Sequence, residues 1–173
     1  MKFILGSLTL LLALGLSAAA QHQPASQPPQ QAQHHVYLQL EREAIEQGQG
    51  FGMALVADRN GYPGPRHILD LAPHLHLSTD QTAKVEALLA SMRQEALALG
   101  QELIENEASL ETLFASGSAD APAAHHLVGE SSTLRARLRW VHLSAHLEAY
   151  KLLMPEQRAR YHDLRYGTGD HLH

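Results

Sequence analysis

Two copies of one short pattern bracket a long run of helical apolar spacing, and nothing else in the chain constrains its fold as strongly. The first copy is Leu77-Ser78-Thr79-Asp80-Gln81 and the second is Leu153-Met154-Pro155-Glu156-Gln157. Each is a hydrophobic residue followed by a helix start with glutamine in the first turn. Ser78 and Gln81 can satisfy each other's backbone donors as a capping box. Pro155, with its fixed φ and no donor to lose, suits a first helical turn. Between the two copies lie about seventy residues with one polar break and no strand pattern.

Val85, Leu88, Met92, Ala96, Leu99, Leu103, Leu110 and Phe114 recur at helical steps and predict one helix from Thr79 to Ala115. Such a helix is roughly 55 Å long. Ser116 to Asp120, with Gly117, makes the break. The return arm runs to about Leu153, with Leu127, Leu134, Leu138, Val141, Ala145 and Leu152 as its core stripe. Arms of near-equal length and a short loop imply antiparallel packing. Pro155 to Tyr166 reads as a closing helix ended by Gly167, a candidate left-handed cap. Ahead of the hairpin the pattern predicts a short helix from Tyr37 to Gln47 and an apolar turn at Met53 to Val56. A dense turn signal at Asn60 to Pro65 follows, then a helix from Arg66 to Leu71 limited by Pro73. The expected fold is all-α: a long antiparallel helical hairpin with short N-terminal helices and a short C-terminal helix.

A second apolar line on the return arm, Trp140, Leu143, Leu147 and Tyr150, faces away from the first stripe. A helix apolar on two sides is buried on two sides. Either the segment from Val36 to Leu75 covers this line or another subunit does.

Met1-Lys2, the apolar run from Phe3 to Leu16 and Ala18-Ala19-Ala20 have the layout of a secretory signal peptide, residues 1–20, with the mature chain starting at Gln21. The run falls short of the roughly 20 residues of a membrane span, and no second one follows, so the chain is expected in the periplasm with no span after cleavage. Residues 21–35, rich in glutamine and proline, read as a disordered linker. Residues 36–166 read as the helical-hairpin domain, and residues 167–173 as a flexible tail. With Lys2 removed, 12 basic residues face 18 acidic ones. That balance argues against nucleic acid as a partner, since its phosphates require a basic face. There is no cysteine, hence no disulfide and no thiolate ligand.

Thirteen histidines in such a chain are the compositional oddity. Eight sit as doublets or one residue apart, His34-His35, His125-His126, His74 and His76, His171 and His173, where they read equally as soluble polar residues or as loose metal ligands. His142 and His146 differ. An i, i+4 pair puts two imidazoles on one helix face, a spacing that chelates one ion. Both lie on the flank of the core stripe, and antiparallel register around Ser118 sets residues 91 to 95 opposite them. That window holds Met92 and Glu95. Two histidines, a carboxylate and a thioether make a reasonable shell for zinc, copper, nickel or cobalt. The alternative is a histidine pair hydrogen bonded to Glu95 without metal. His67, after the proline-rich turn, is a further candidate ligand, or an ordinary residue at a helix start.

The chain resembles the Leu-Thr-x-x-Gln family of small periplasmic proteins, which includes the Spy and CpxP chaperones and the ZraP and CnrX metal-responsive proteins. The resemblance rests on the two bracketing motifs and the hairpin between them, over about Glu41 to Tyr166. Met154 stands where the family's second motif has threonine. It implies a homodimer, and either a metal-responsive role or weak capture of unfolded clients in a charged and apolar cradle. A membrane sensor protein is a further implied partner. In CnrX-like sensors, histidines, a glutamate and a methionine of the hairpin hold the metal, and the matching types here are His142, His146, Glu95 and Met92.

Enzyme chemistry lacks its usual marks. There is no Gly-x-Ser-x-Gly elbow and no phosphate loop, and in His142-Leu143-Ser144-Ala145-His146 a leucine stands where a zinc protease has its glutamate base. The expected function is transition-metal binding for metal-stress sensing or buffering, without catalysis. An ATP-independent chaperone for unfolded envelope proteins is the alternative.

Overall fold

The computed structural model describes residues 30–167; the segment read as a signal peptide, most of the segment read as a linker and the last six residues lie outside them. Seven helices occur in this span, with no strand among the described residues: α1 (Gln30–Glu46), α2 (Leu55–Arg59), α3 (Pro65–Asp70), α4 (Ala72–Leu75), α5 (Thr79–Ala115), α6 (Ala121–Leu152) and α7 (Pro155–Tyr166). The expected all-α hairpin is observed, α5 and α6 forming its two arms.

Local chemistry sets the arm ends. Ser78 Oγ accepts from the Gln81 amide at 3.1 Å, while Gln81 Oε1 accepts from the Ser78 amide at 3.0 Å, the reciprocal box that satisfies two orphan donors. Asp120 caps α6 by accepting from the Ala123 amide at 2.8 Å. The two motif copies also meet in space. Gln81 Nε2 donates to Gln157 Oε1 at 2.8 Å and to the Leu152 carbonyl at 2.9 Å, and Gln157 Nε2 donates back to Gln81 Oε1 at 3.1 Å. The glutamines thus cap their own helices and clamp the base of the hairpin.

Helix α1 differs from expectation, starting at Gln30 rather than Tyr37. Glutamine and alanine are good helix formers, so the end of the polar tract extends the helix. Gly167 ends α7 with φ −59°, not in the left-handed region, and its amide closes the last turn onto the Asp163 carbonyl.

Two apolar clusters hold the layers together. Ile45 of α1 packs with Ala96, Leu99 and Leu103 of α5 and with Leu134, Leu138 and Val141 of α6. The second cluster, at the hairpin base, joins Ile68, Leu75, Val85, Ala149, Leu153 and Tyr161. Gly100 permits the first contact: a Cβ there would lie 2.7 Å from Ile45 Cγ2 and 3.0 Å from the Ile45 carbonyl oxygen. Arg135 pairs with Glu41 of α1 at 2.9 Å and Glu107 of α5 at 3.3 Å. These exposed pairs add little stability each.

The N-terminal segment crosses the histidine flank of α6 and leaves the second apolar line only partly covered. Tyr62 packs on Tyr150 with ring centroids 4.6 Å apart, but Trp140 stays 60% exposed and Leu147 40% exposed. Trp140 precedes His142 by two positions, which turns it about 160° away from the covered flank.

Candidate functional site

Burial separates the histidines. His34, His35, His74, His76, His125, His126 and His162 are exposed, His67 is half-buried, and only His142 and His146 are buried among the described residues. The buried pair sits on α6 between the apolar positions Leu138 and Val141 on one side and Ala149 on the other. Their flank is roofed by the loop from Gln47 to Met53 and by the turn before α3.

Glycines make the roof close. A Cβ on Gly64 would lie 2.8 Å from His146 Nε2, and one on Gly50 would lie 3.1 Å from His142 Nδ1. His146 Nδ1 is 2.7 Å from the Tyr62 carbonyl oxygen. A carbonyl only accepts, so Nδ1 carries the hydrogen, and in the neutral ring Nε2 is left with its lone pair on the Gly64 side. His142 Nε2 is buried with no hydrogen-bond partner among the described residues. Burial pushes the His142 pKa below the usual histidine value, and the neighbouring His146 adds to the shift. Burial likewise lowers the His146 pKa, against the opposing pull of the Tyr62 carbonyl and Asp58. Both rings therefore favour the neutral form, the one that ligates metal.

A cavity of about 370 Å³ opens beside them, lined by His142, His146, His67, Met92, Asp58 and three arginines, Arg66, Arg93 and Arg165, among others. Of the residues expected at the site, the structure brings His142, His146, Met92 and His67 to this one cavity. Glu95 is not among them: it is exposed and lines no part of the cavity. Antiparallel register brings Met92 to the cavity but does not determine which side of α5 the N-terminal segment covers. That segment lies on the flank of Arg93 and Gly100, and Glu95, two residues after Arg93, points about 160° round the helix.

The carboxylate that does reach the cavity is Asp58, which the sequence pattern did not single out. It is buried at 4% exposure. Oδ1 accepts from Tyr161 Oη at 2.6 Å and lies 3.5 Å from His67 Nδ1, while Oδ2 accepts from Tyr166 Oη at 2.7 Å and from Arg165 at 3.4 Å. Burial opposes its charge, but the two tyrosine hydrogen bonds, with His67 and Arg165, hold its pKa below the usual carboxylate value. A lone aspartate in a five-residue helix carries no spacing signal, since its hydrogen-bond donors lie more than 100 residues further along. The described residues contain no group of three histidine, aspartate or glutamate side chains able to hold an ion. The expected three-ligand shell of His142, His146 and Glu95 is therefore not assembled.

No described helix is long and apolar enough to cross a membrane. No curated protein and no solved structure matches the chain. A family model described as heavy-metal resistance matches residues 50–160, from the glycine loop over His142 to the residue before Tyr161. That span holds His142, His146, His67, Met92 and Asp58, and with well over half of its length matched, the chain belongs to the heavy-metal resistance family.

Proposed function

We propose that the protein is a non-enzymatic binder of one borderline transition-metal ion, zinc, copper, nickel or cobalt, acting in the periplasm in metal-stress sensing or buffering. The observation that carries this reading is the buried His142–His146 pair under Gly50 and Gly64. Two nitrogens there have no hydrogen-bond partner among the described residues: the buried Nε2 of His142 and, on the Gly64 side, Nε2 of His146. Leaving a buried polar nitrogen unsatisfied costs roughly 1–3 kcal/mol, and coordination would remove that cost. Neutral imidazole suits these ions, and the Met92 thioether in the same cavity favours the softer ones. His67, paired with Asp58, stands at the same wall. Membership of the heavy-metal resistance family supports the assignment, and the signal-peptide pattern supports export.

The test is a titration of the mature protein with each ion, monitored by calorimetry. Wild type should show one tight site that His142→Ala and His146→Ala each remove. Tight binding that survives both substitutions would move the site elsewhere and sink this assignment.

A second reading is a holdase for unfolded envelope proteins, favoured by the exposed apolar side chains of Val36, Tyr37, Leu40 and Trp140. The same exposure supports a homodimer, in which a second copy covers Trp140 and Leu147. Suppression of aggregation by metal-free protein, unchanged by the two histidine substitutions, is the result this second reading requires.

A further inference from the structure

The cavity beside His142 and His146 is short of negative charge. Both oxygens of Asp58 are already engaged by Tyr161, Tyr166 and Arg165, and Glu95 stands outside. Two neutral imidazoles and a thioether would leave the charge of a dication uncompensated in a partly enclosed space, where an unbalanced charge is costly.

Positive charge, by contrast, is in surplus. Arg66 and Arg93 line the cavity and also an adjoining, mostly apolar trough walled by Leu69, Leu89 and Leu97, with Glu86 as its one carboxylate, so they stand where the two spaces meet. Neither guanidinium makes an ion pair or a hydrogen bond to another described residue, although the chain carries a formal net charge of −5. Gly48 lets the Arg93 stem lie close: a Cβ there would be 3.1 Å from Arg93 Cγ. The cavity is also much larger than an ion needs. Water takes up roughly 30 Å³ in the liquid, so about 370 Å³ leaves room for a small molecule beside a coordinated ion.

We infer that the cavity binds its metal together with a small oxygen anion, a carboxylate or a phosphate, which ligates the ion on one side and is held by Arg66 and Arg93 on the other. Guanidinium is the side chain suited to this, because its planar fork matches carboxylate and phosphate oxygens. The anion supplies the charge and the oxygen ligand that the protein does not. This inference rests on the metal-binding reading and adds to it that binding is ternary.

Cobalt(II) is the probe, because its visible absorption reports on its ligands. The mature protein is titrated with cobalt in a non-coordinating buffer alone, with acetate, and with inorganic phosphate, which separates the two sources of anion. The expected result is an affinity about tenfold higher with one of the anions and a changed absorption spectrum. In the double variant Arg66→Gln with Arg93→Met, which keeps an apolar stem against Gly48, the enhancement should vanish while anion-free cobalt binding persists. Cobalt bound with affinity and spectrum indifferent to both anions overturns the ternary site and leaves metal binding standing. Enhancement that survives in the double variant overturns it too. Absence of cobalt binding in every arm removes both readings.

Discussion

Tyr161 Oη donates to Asp58 Oδ1 at 2.6 Å, fastening the last helix to the wall of the cavity. Both groups are buried, and Tyr166 and Arg165 of the same helix reach the other carboxylate oxygen. A hydrogen bond to a charged group contributes more than a neutral one, and a buried carboxylate that loses a donor cannot turn to water. Tyr161→Phe is therefore expected to lower stability by about 2 kcal/mol, and Tyr166→Phe, at the exposed edge, by about half that. Urea unfolding of the two variants checks the order. Equal and negligible effects would mean that Asp58 finds other donors.

Acid should destabilise the fold in two stages. His142 and His146 have folded pKa values below 6.5, so the unfolded chain binds their protons more readily. Their contribution is fully present above the unfolded value of 6.5 and is lost as pH falls through the folded values. Asp58, held below 3.8, contributes above 3.8 and loses that contribution as pH falls through its own lower folded value. Metal affinity should follow the first stage, since protons compete for the same nitrogens. Thermal melting across this range, repeated with His142→Ala, should show the first stage shrink in the variant.

Glu95→Gln should leave metal affinity within a factor of two or so, whereas His146→Ala should abolish the tight site. Met92→Leu, which conserves volume, separates the thioether from packing: a weakening for copper(I) with little change for zinc is expected from ligand softness. Direct titration of the three variants decides it, and a large loss in Glu95→Gln would require a different arrangement of α5.

Two glycines should resist alanine for different reasons. In Gly100→Ala the helix gains about 1 kcal/mol of propensity, but the new methyl meets Ile45 at 2.7 Å. Overpacking costs about 1–3 kcal/mol, so a net loss is expected, seen as a lower urea midpoint and earlier exchange of α1 amides. In Gly64→Ala the methyl would lie against His146 Nε2, so metal binding should fall more than stability does.

Capping chemistry and apolar spacing are local, and they made the hairpin legible from residue order. The box at Ser78 and Gln81 and the proline at Pro155 placed α5 and α7 at their observed bounds. The i, i+4 spacing likewise marked His142 and His146 as a pair on one flank, because helical geometry follows from residue number. The start of α1 was missed because glutamine-rich sequence is compatible with both helix and linker.

Which side chains would surround that pair depended on the path of the segment between α1 and α5. Its close approach to α6 at Gly50 and Gly64 brought Asp58 to the cavity and left Glu95 outside, and it set Arg66 with Arg93 of α5 where the cavity meets the adjoining trough. Periodicity fixes which way a side chain points from its own helix. It carries no information on which flank a distant segment will cover, and here that contact between residues far apart in the chain assembled the candidate site.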